Sequence, residues 1–147
     1  AQQLVGEGVT TLPLANLPAD DKSCFKICIS PVPASWSTYA FVSLSHGGPT
    51  TLASLTLIDH DGTYNPSTGT YEITGHIRND QGDYVDFINA VGTLYDAQGT
   101  VVGCGAKQAN NSTLIPGTNT AFSIQYNDRN YAAVVQYRVQ AGGNPRR

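Results

Sequence analysis

The chain has 147 residues, only 13% of them charged, and a net charge of −3 at pH 7. This length suits one domain, because a chain of about 150 residues buries roughly 68–70% of its unfolded surface and forms a core without staples. Eight Lys and Arg residues offer no basic stripe that could neutralise phosphates, which argues against nucleic-acid binding. Abundant hydroxyl and amide side chains are typical of secreted and surface-layer proteins.

The N-terminal end favours export. Ala1 is a small residue that fits the product of signal-peptide cleavage, although it is equally compatible with an arbitrary start of the numbering. No apolar run approaches the ~20 residues needed to span a bilayer. We therefore expect a secreted or cell-surface protein without a membrane span.

Residues 1–19 are predicted to form an extended arm, since they carry no helix signal and contain two prolines. The even-numbered residues of this arm would share one face, with large side chains at its ends and small ones in its middle: Leu4, Gly6, Gly8, Thr10, Leu12 and Leu14. The arm is either an edge strand of its own sandwich or a strand that lies in the groove of a neighbouring subunit. The residues expected to make such a subunit contact are Leu4, Val5, Val9, Leu12 and Leu14.

Three cysteines follow, at positions 24, 28 and 104. Residues 24–30 alternate as a strand would, and two residues four apart on a strand lie about 13 Å from each other. This exceeds the ~7 Å limit for a disulfide, so Cys24 and Cys28 are not expected to pair with each other. Cys104 is a plausible partner for either one, leaving the other free or joined to another chain. The spacing is a poor match to a zinc or redox site.

The next stretch is predicted to contain two strands, at 36–45 and 50–59, separated by a turn at His46–Pro49. Trp36, at the start of the first strand, is interpreted as a core residue, with a sugar-stacking platform as the alternative. Asp59–Gly62 invites a calcium interpretation, but its Gly is fourth rather than sixth and no Glu stands at position twelve. A tight turn is the preferred interpretation.

A compact antiparallel unit is predicted from Tyr64 to Gln140, with strands at 71–79, 84–96, 100–107, 120–126 and 131–140. The first strand places Tyr71, Ile73, Gly75 and Ile77 on one face, which is the period of a half-buried strand. The second strand is apolar on both parities, which indicates a bulge near Ile88–Ala90 or a second face covered by another chain. Turns with glycine are predicted at 96–99 and 115–118.

Thr70–Gln140 resembles the FxLYD family of small extracytoplasmic β-sandwich domains. The resemblance is carried by the segments ITGHIRND, AVGTLYDAQGTVVG and LIPGTNTAFSI, and Gly92 stands at the position of the motif's Phe. It implies a sandwich fold and an envelope or secreted location, and it supplies no catalytic residues. The sequence therefore predicts an all-β, immunoglobulin-like antiparallel β-sandwich with an extended N-terminal arm. The expected boundaries are 1–19 for the arm, 20–140 for the sandwich domain and 141–147 for a tail.

Asn110 and Asn111 each begin an N-x-Ser/Thr acceptor in a polar loop, so both are glycosylation candidates. The tail ends in two arginines and is expected either to be solvated or to contact a neighbour.

No grouping of nucleophile, base and charge stabiliser stands out, so a non-catalytic protein without a cofactor or a metal is expected. The first hypothesis is a structural subunit of an extracellular filament, a helical homopolymer in which residues 4–14 insert into the next subunit's sandwich. This logic is similar to that of pilins assembled by strand complementation. The alternative hypothesis is a monomeric secreted or cell-envelope module, an adhesin or a carbohydrate- or protein-binding domain.

Overall fold

The computed structural model describes residues 4–14, 17–18, 20–42 and 53–146. Its regular secondary structure consists of seven β-strands, and no helix occurs in these ranges. The strands are β1 (Leu55–Asn65), β2 (Thr70–Asn79), β3 (Val85–Tyr95), β4 (Val101–Gln108), β5 (Thr113–Leu114), β6 (Asn119–Tyr126) and β7 (Gln136–Pro145). The prediction of an all-β protein is confirmed.

The strands form two antiparallel sheets that pack face to face. The first sheet has the order β1-β2-β6. In the second sheet β3 is central, with β7 along one side and β4 followed by the short β5 along the other. This is the antiparallel β-sandwich that the sequence predicts.

The core lies between the sheets and follows the alternation of the strands. On β2 the inward residues Ile73 and Ile77 are fully buried, and on β6 Phe122 and Ile124 are 2% exposed. Burial of side chains of this size contributes about 1.5–3 kcal/mol each to folding. The period-2 pattern therefore places the central strand of the first sheet as expected.

β3 contains the bulge that its sequence indicates. Its register with β7 shifts between Asp86 and Asn89, and Phe87 adopts a φ of 54° there. Phe87 is exposed whereas its neighbour Ile88 is fully buried, so the bulge changes which parity faces the core.

The predicted turn at Asp59–Gly62 is wrong, because these residues lie inside β1. The chain reverses at residues 66–69, where Gly69 has a φ of 70° and its N–H donates to the Asn65 carbonyl at 2.8 Å. Gly62 serves packing instead: a Cβ there would lie 2.6 Å from the Tyr71 hydroxyl oxygen. An Asp-Gly pair is therefore a weaker turn signal where, as here, an aromatic ring packs against the glycine.

The C-terminal boundaries also differ from those predicted. β7 begins at Gln136 rather than at Tyr131 and continues to Pro145 through most of the expected tail. Residues 131–135 form a turn in which the Val134 N–H donates to the Tyr131 carbonyl at 3.1 Å. The small residues of the tail suit a strand here, because a Cβ on Gly143 would lie 2.6 Å from a Val85 methyl group.

Residues 20–42 contain no strand, so the alternation at 24–30 does not produce one, and the predicted strand at 36–45 is wrong as far as residue 42. The predicted turn at His46–Pro49 and the start of the predicted strand at 50–59 lie outside the described residues. β1 begins at Leu55, so the strand predicted at 50–59 lies further towards the C-terminus than expected.

Candidate self-association surface

The N-terminal part of the chain crosses the outer face of the second sheet. We call the described residues of this part, 13–14, 17–18 and 20–26, the covering segment. Val91 and Thr93 on β3 point away from the core, in register with Gln140 and Arg138 on β7 and beside Cys104 on β4. They are nevertheless 0% and 3% exposed, because the covering segment lies over this face. The second face of β3 is thus covered by its own chain, which explains why both parities of this strand are apolar.

Leu14 holds one end of the covering segment. Its side chain is only 5% exposed and rests on Gly142 of β7, where a Cβ would lie 2.7 Å from Leu14 Cδ2. A cavity of about 50 Å³ beside it is lined by Pro13, Phe87 and neighbouring residues. The contact between Leu14 and Gly142 was not predicted, because the Gly-Gly pair at 142–143 is typical of a loose tail.

A disulfide between Cys24 and Cys104 holds the other end, with a Cα–Cα distance of 5.7 Å. This settles which cysteine pairs, a question that the sequence left open between Cys24 and Cys28. Cys28 is free and exposed.

Ion pairs support the covering segment, one between these two anchors and one just beyond Cys24. Asp21 accepts hydrogen bonds from Arg138 and Gln140 of β7, and the Arg138 bond is the main cause of the lowered pKa of this carboxyl. Lys26 forms an ion pair with Asp128. Hydrogen bonds from Lys26 and from the Tyr131 hydroxyl lower the pKa of Asp128 to about 2. The segment is therefore fixed by packing, by charge and by a covalent bond.

We call residues 4–12 the arm, because they extend beyond the Leu14 anchor. The large apolar side chains of the arm are exposed: Leu4 by 75%, Val5 by 53%, Val9 by 93% and Leu12 by 52%. Of the five residues predicted to make a subunit contact, Leu14 alone is buried, and its partner is its own domain.

The middle of the arm lies against residues 27–33 of the same chain. A Cβ on Gly6 would lie 3.0 Å from a methyl group of Ile29, and a Cβ on Gly8 would lie 2.6 Å from a methyl group of Ile27. The same Gly8 position is 2.9 Å from the Cys28 carbonyl oxygen. The two glycines allow this close approach, which gives a reason for the small residues in the arm's pattern.

Residues 27–42, which we call the aromatic segment, contain no charged residue. Trp36, Tyr39 and Phe41 are 63%, 71% and 64% exposed, so the interpretation of Trp36 as a core residue is wrong. The rings contact one another, with centroids 6.3 Å apart for Trp36 and Tyr39 and 5.3 Å apart for Tyr39 and Phe41. Phe25 adds an edge contact to Phe41 at 5.5 Å. Because no strand forms in the described part of this segment, no sheet buries these rings.

The outer face of the first sheet is polar. On that face the His76 Nδ1 lies 2.8 Å from the Asp59 carboxylate. His60 has the opposite parity, and its Nδ1 lies 3.0 Å from the hydroxyl of Tyr137 on β7 of the second sheet. The two imidazoles thus engage different partners. Within the described ranges, no cluster of three or more His, Cys, Asp or Glu residues could hold a metal ion.

The glycosylation candidates Asn110 and Asn111 follow β4 and are exposed. Their backbone N–H groups donate to β6, at 3.0 Å to the Ala121 carbonyl and at 2.9 Å to the Thr120 hydroxyl. The loop is held by its backbone, which leaves both side chains accessible.

No family model, curated protein or solved structure matches the chain. The resemblance to FxLYD domains therefore stays a prediction. The described residues include no helix that is long and apolar enough to cross a membrane.

Proposed function

We propose that the protein is a non-catalytic structural subunit of an extracellular filament, and that its N-terminal arm joins one subunit to the next. One observation carries this proposal. The sandwich buries its own core, whereas 11 of the 17 large apolar side chains that are exposed in the described residues lie before it. Exposed apolar surface of this extent marks a site of protein–protein contact. Its members are Leu4, Val5, Val9, Leu12, Phe25, Ile29, Val32, Trp36, Tyr39, Phe41 and Val42.

The extracellular part of the proposal is supported by the disulfide and by composition. Disulfides persist in oxidising compartments, and Cys24–Cys104 links two distant parts of the chain. A surface that meets water through hydroxyls and amides fits the same setting. Exposed Asn110 and Asn111 allow glycans to be attached there if the source modifies exported Asn.

An arm donated from one subunit to the next produces an open polymer. Such a contact is heterologous, since the donor and acceptor surfaces differ, and it yields a helical filament unless the rotation closes a ring. Nine extended residues beyond Leu14 reach about 30 Å, which is enough to cross a neighbouring sandwich. Leu14 itself belongs to the donor's own domain, so the proposed joint is limited to residues 4–12.

Electron microscopy of the native protein at neutral pH, together with one pair of variants, tests this function. We expect filaments for the wild type and none for Leu12→Asp, whose isolated domain should still melt cooperatively. Ile115→Asp is the matched control, because Ile115 is 53% exposed against 52% for Leu12 and lies in a turn of the sandwich. The control should form filaments of ordinary length.

Two results would contradict the proposal. Dispersed monomers of the wild type would exclude self-assembly. Unchanged filament length in Leu12→Asp would show that the arm is not the joint. A lost cooperative melt in Leu12→Asp would instead assign the arm to its own fold.

The exposed rings favour a second candidate function, a secreted carbohydrate-binding module. Trp36 and Tyr39 form an exposed aromatic pair of the kind that stacks on sugar rings, and Ser and Thr residues are their neighbours in sequence. Trp36 is the single Trp of the chain, so its fluorescence reports on this site alone. A saturable fluorescence change with soluble glycans, in a protein that stays monomeric, would favour this function over the filament.

A further inference from the structure

We propose that the acceptor for the arm is the stretch 27–33 of the next copy, which the arm reaches by exchanging with that copy's own arm. This inference rests on the proposed function and specifies its joint. The contact seen within one chain, between the glycines of the arm and residues 27–33, is then the same contact that links two subunits.

The sandwich core offers the arm no opening. Ile73, Ile77 and Leu94 have no exposed surface, and the opposite sheet covers them. Insertion into the core, as in strand-complemented pilins, would require the two sheets to separate and expose these side chains. The joint therefore lies outside the core, and the expectation that residues 4–14 insert into the sandwich interior is replaced.

The arm is already shaped for residues 27–33. Gly8 sits so close to Ile27 and to the Cys28 carbonyl that any side chain would clash at 2.6 Å and 2.9 Å. Gly6 makes a similar approach to Ile29 and to Pro33, at 3.0 Å and 3.2 Å. Two glycines at alternate positions match one surface, which is a specific fit rather than a loose collapse.

The part of the aromatic segment that follows the acceptor forms no regular secondary structure. The run Ser37–Val42 is rich in Thr, Tyr, Phe and Val, which favour strands, yet its described residues form no strand. Strong strand formers outside a sheet are a conflict between local preference and fold, and such conflicts occur at functional sites. Addition of a chain from a second copy supplies backbone partners and covers the neighbouring rings.

Exchange is possible because the arm and its anchor are separate. Leu14 and Cys24 fix the covering segment to the donor's own sheet, so the arm can swing without disturbing the sandwich. Val9, between the contact and the anchor, is 93% exposed, so its side chain adds little to the contact within the chain. Exchange of an identical element between copies is a low-cost route to assembly, because it reuses contacts that already fit.

Two complementary variants test the exchange. Gly8→Val should block the arm as a donor and leave the acceptor open, whereas Ile29→Asp should block the acceptor and leave the arm intact. Gly82→Val is the matched control for the first, because no atom lies within 4 Å of a Cβ at that position. Cooperative melting of each variant establishes that the sandwich is folded. Light scattering after gel filtration then measures the mass of each variant alone and of an equimolar mixture.

We expect each variant alone to be monomeric, the mixture to form a dimer of twice the monomer mass, and Gly82→Val to form filaments. Monomers in the mixture, alongside filaments of the wild type, would overturn the exchange and leave the filament function standing. Filaments of Gly8→Val or of Ile29→Asp would also overturn it. Monomeric wild type would remove the filament function itself, so the two failures are distinguishable.

Discussion

Removal of the Cys24–Cys104 disulfide should lower the free energy of unfolding substantially, and the structure sets the size of the loss. The two cysteines are 80 residues apart in sequence, and chain entropy for a loop of that length gives a stabilisation of about 4.5 kcal/mol. The bond also pins the covering segment over Val91, so its loss permits water to reach that fully buried side chain. At a urea dependence of about 2 kcal/mol per molar, the unfolding midpoint should fall by about 2 M.

Urea titration of Cys24→Ser and Cys28→Ser, followed by circular dichroism, measures this loss. Cys28→Ser is the matched control, because Cys28 is free and exposed and its replacement should change stability by no more than about 0.5 kcal/mol. A loss of less than about 1 kcal/mol in Cys24→Ser would refute the chain-entropy argument. Equal losses in the two variants would refute the assigned pairing.

Two further predictions concern buried hydroxyls and pH. Tyr126→Phe should raise the free energy of unfolding by about 1 kcal/mol, because this buried hydroxyl has no hydrogen-bond partner among the described residues. An unpaired buried polar group costs about 1–3 kcal/mol. A fall in the urea midpoint would show that the hydroxyl has a partner. The pKa of Asp128 is lowered to about 2 by its bonds to Lys26 and Tyr131, so its stabilisation is present above the ordinary value near 3.9 and is lost as pH falls towards 2. Asp128→Asn should therefore flatten the acid side of a plot of urea midpoint against pH, and an unchanged acid slope would contradict this.

The strands with one buried face could be predicted closely. The ends of β2, β4 and β6 lie within one residue of the predicted ends. The alternation of apolar residues and the glycine turns indicate these ends in the sequence. Gly99 and Gly117 have the positive φ values of 76° and 75° that their turns require. The sandwich follows from local pattern, since each of these signals depends on residues close in sequence.

The prediction failed where a distant residue decides the structure. Gly62 resembles a turn glycine until Tyr71 and Tyr137 occupy the space beside it. Gly92 likewise leaves space for a ring from the opposite sheet, because a Cβ there would lie 2.2 Å from the Tyr126 hydroxyl oxygen.

The candidate surface was only partly visible in the sequence. The small residues of the arm indicated a close contact, and the two apolar faces of β3 indicated a second cover. Neither pattern reveals which segment supplies that cover, because only tertiary contacts bring Leu14 to Gly142 and Cys24 to Cys104. Trp36 was misinterpreted for the same reason, since burial depends on a neighbouring sheet that its own sequence does not specify.

The placement of the disulfide has a mechanical consequence for a chain pulled by its two ends. Tension on the arm first meets Leu14 and then the covalent link between Cys24 and Cys104. The link carries the force directly to β4 and bypasses the residues between the two cysteines. Those residues include β1, β2 and β3, which cannot lengthen until the bond breaks. Only the parts outside the loop can extend under load, so more than half of the chain is protected from stretching.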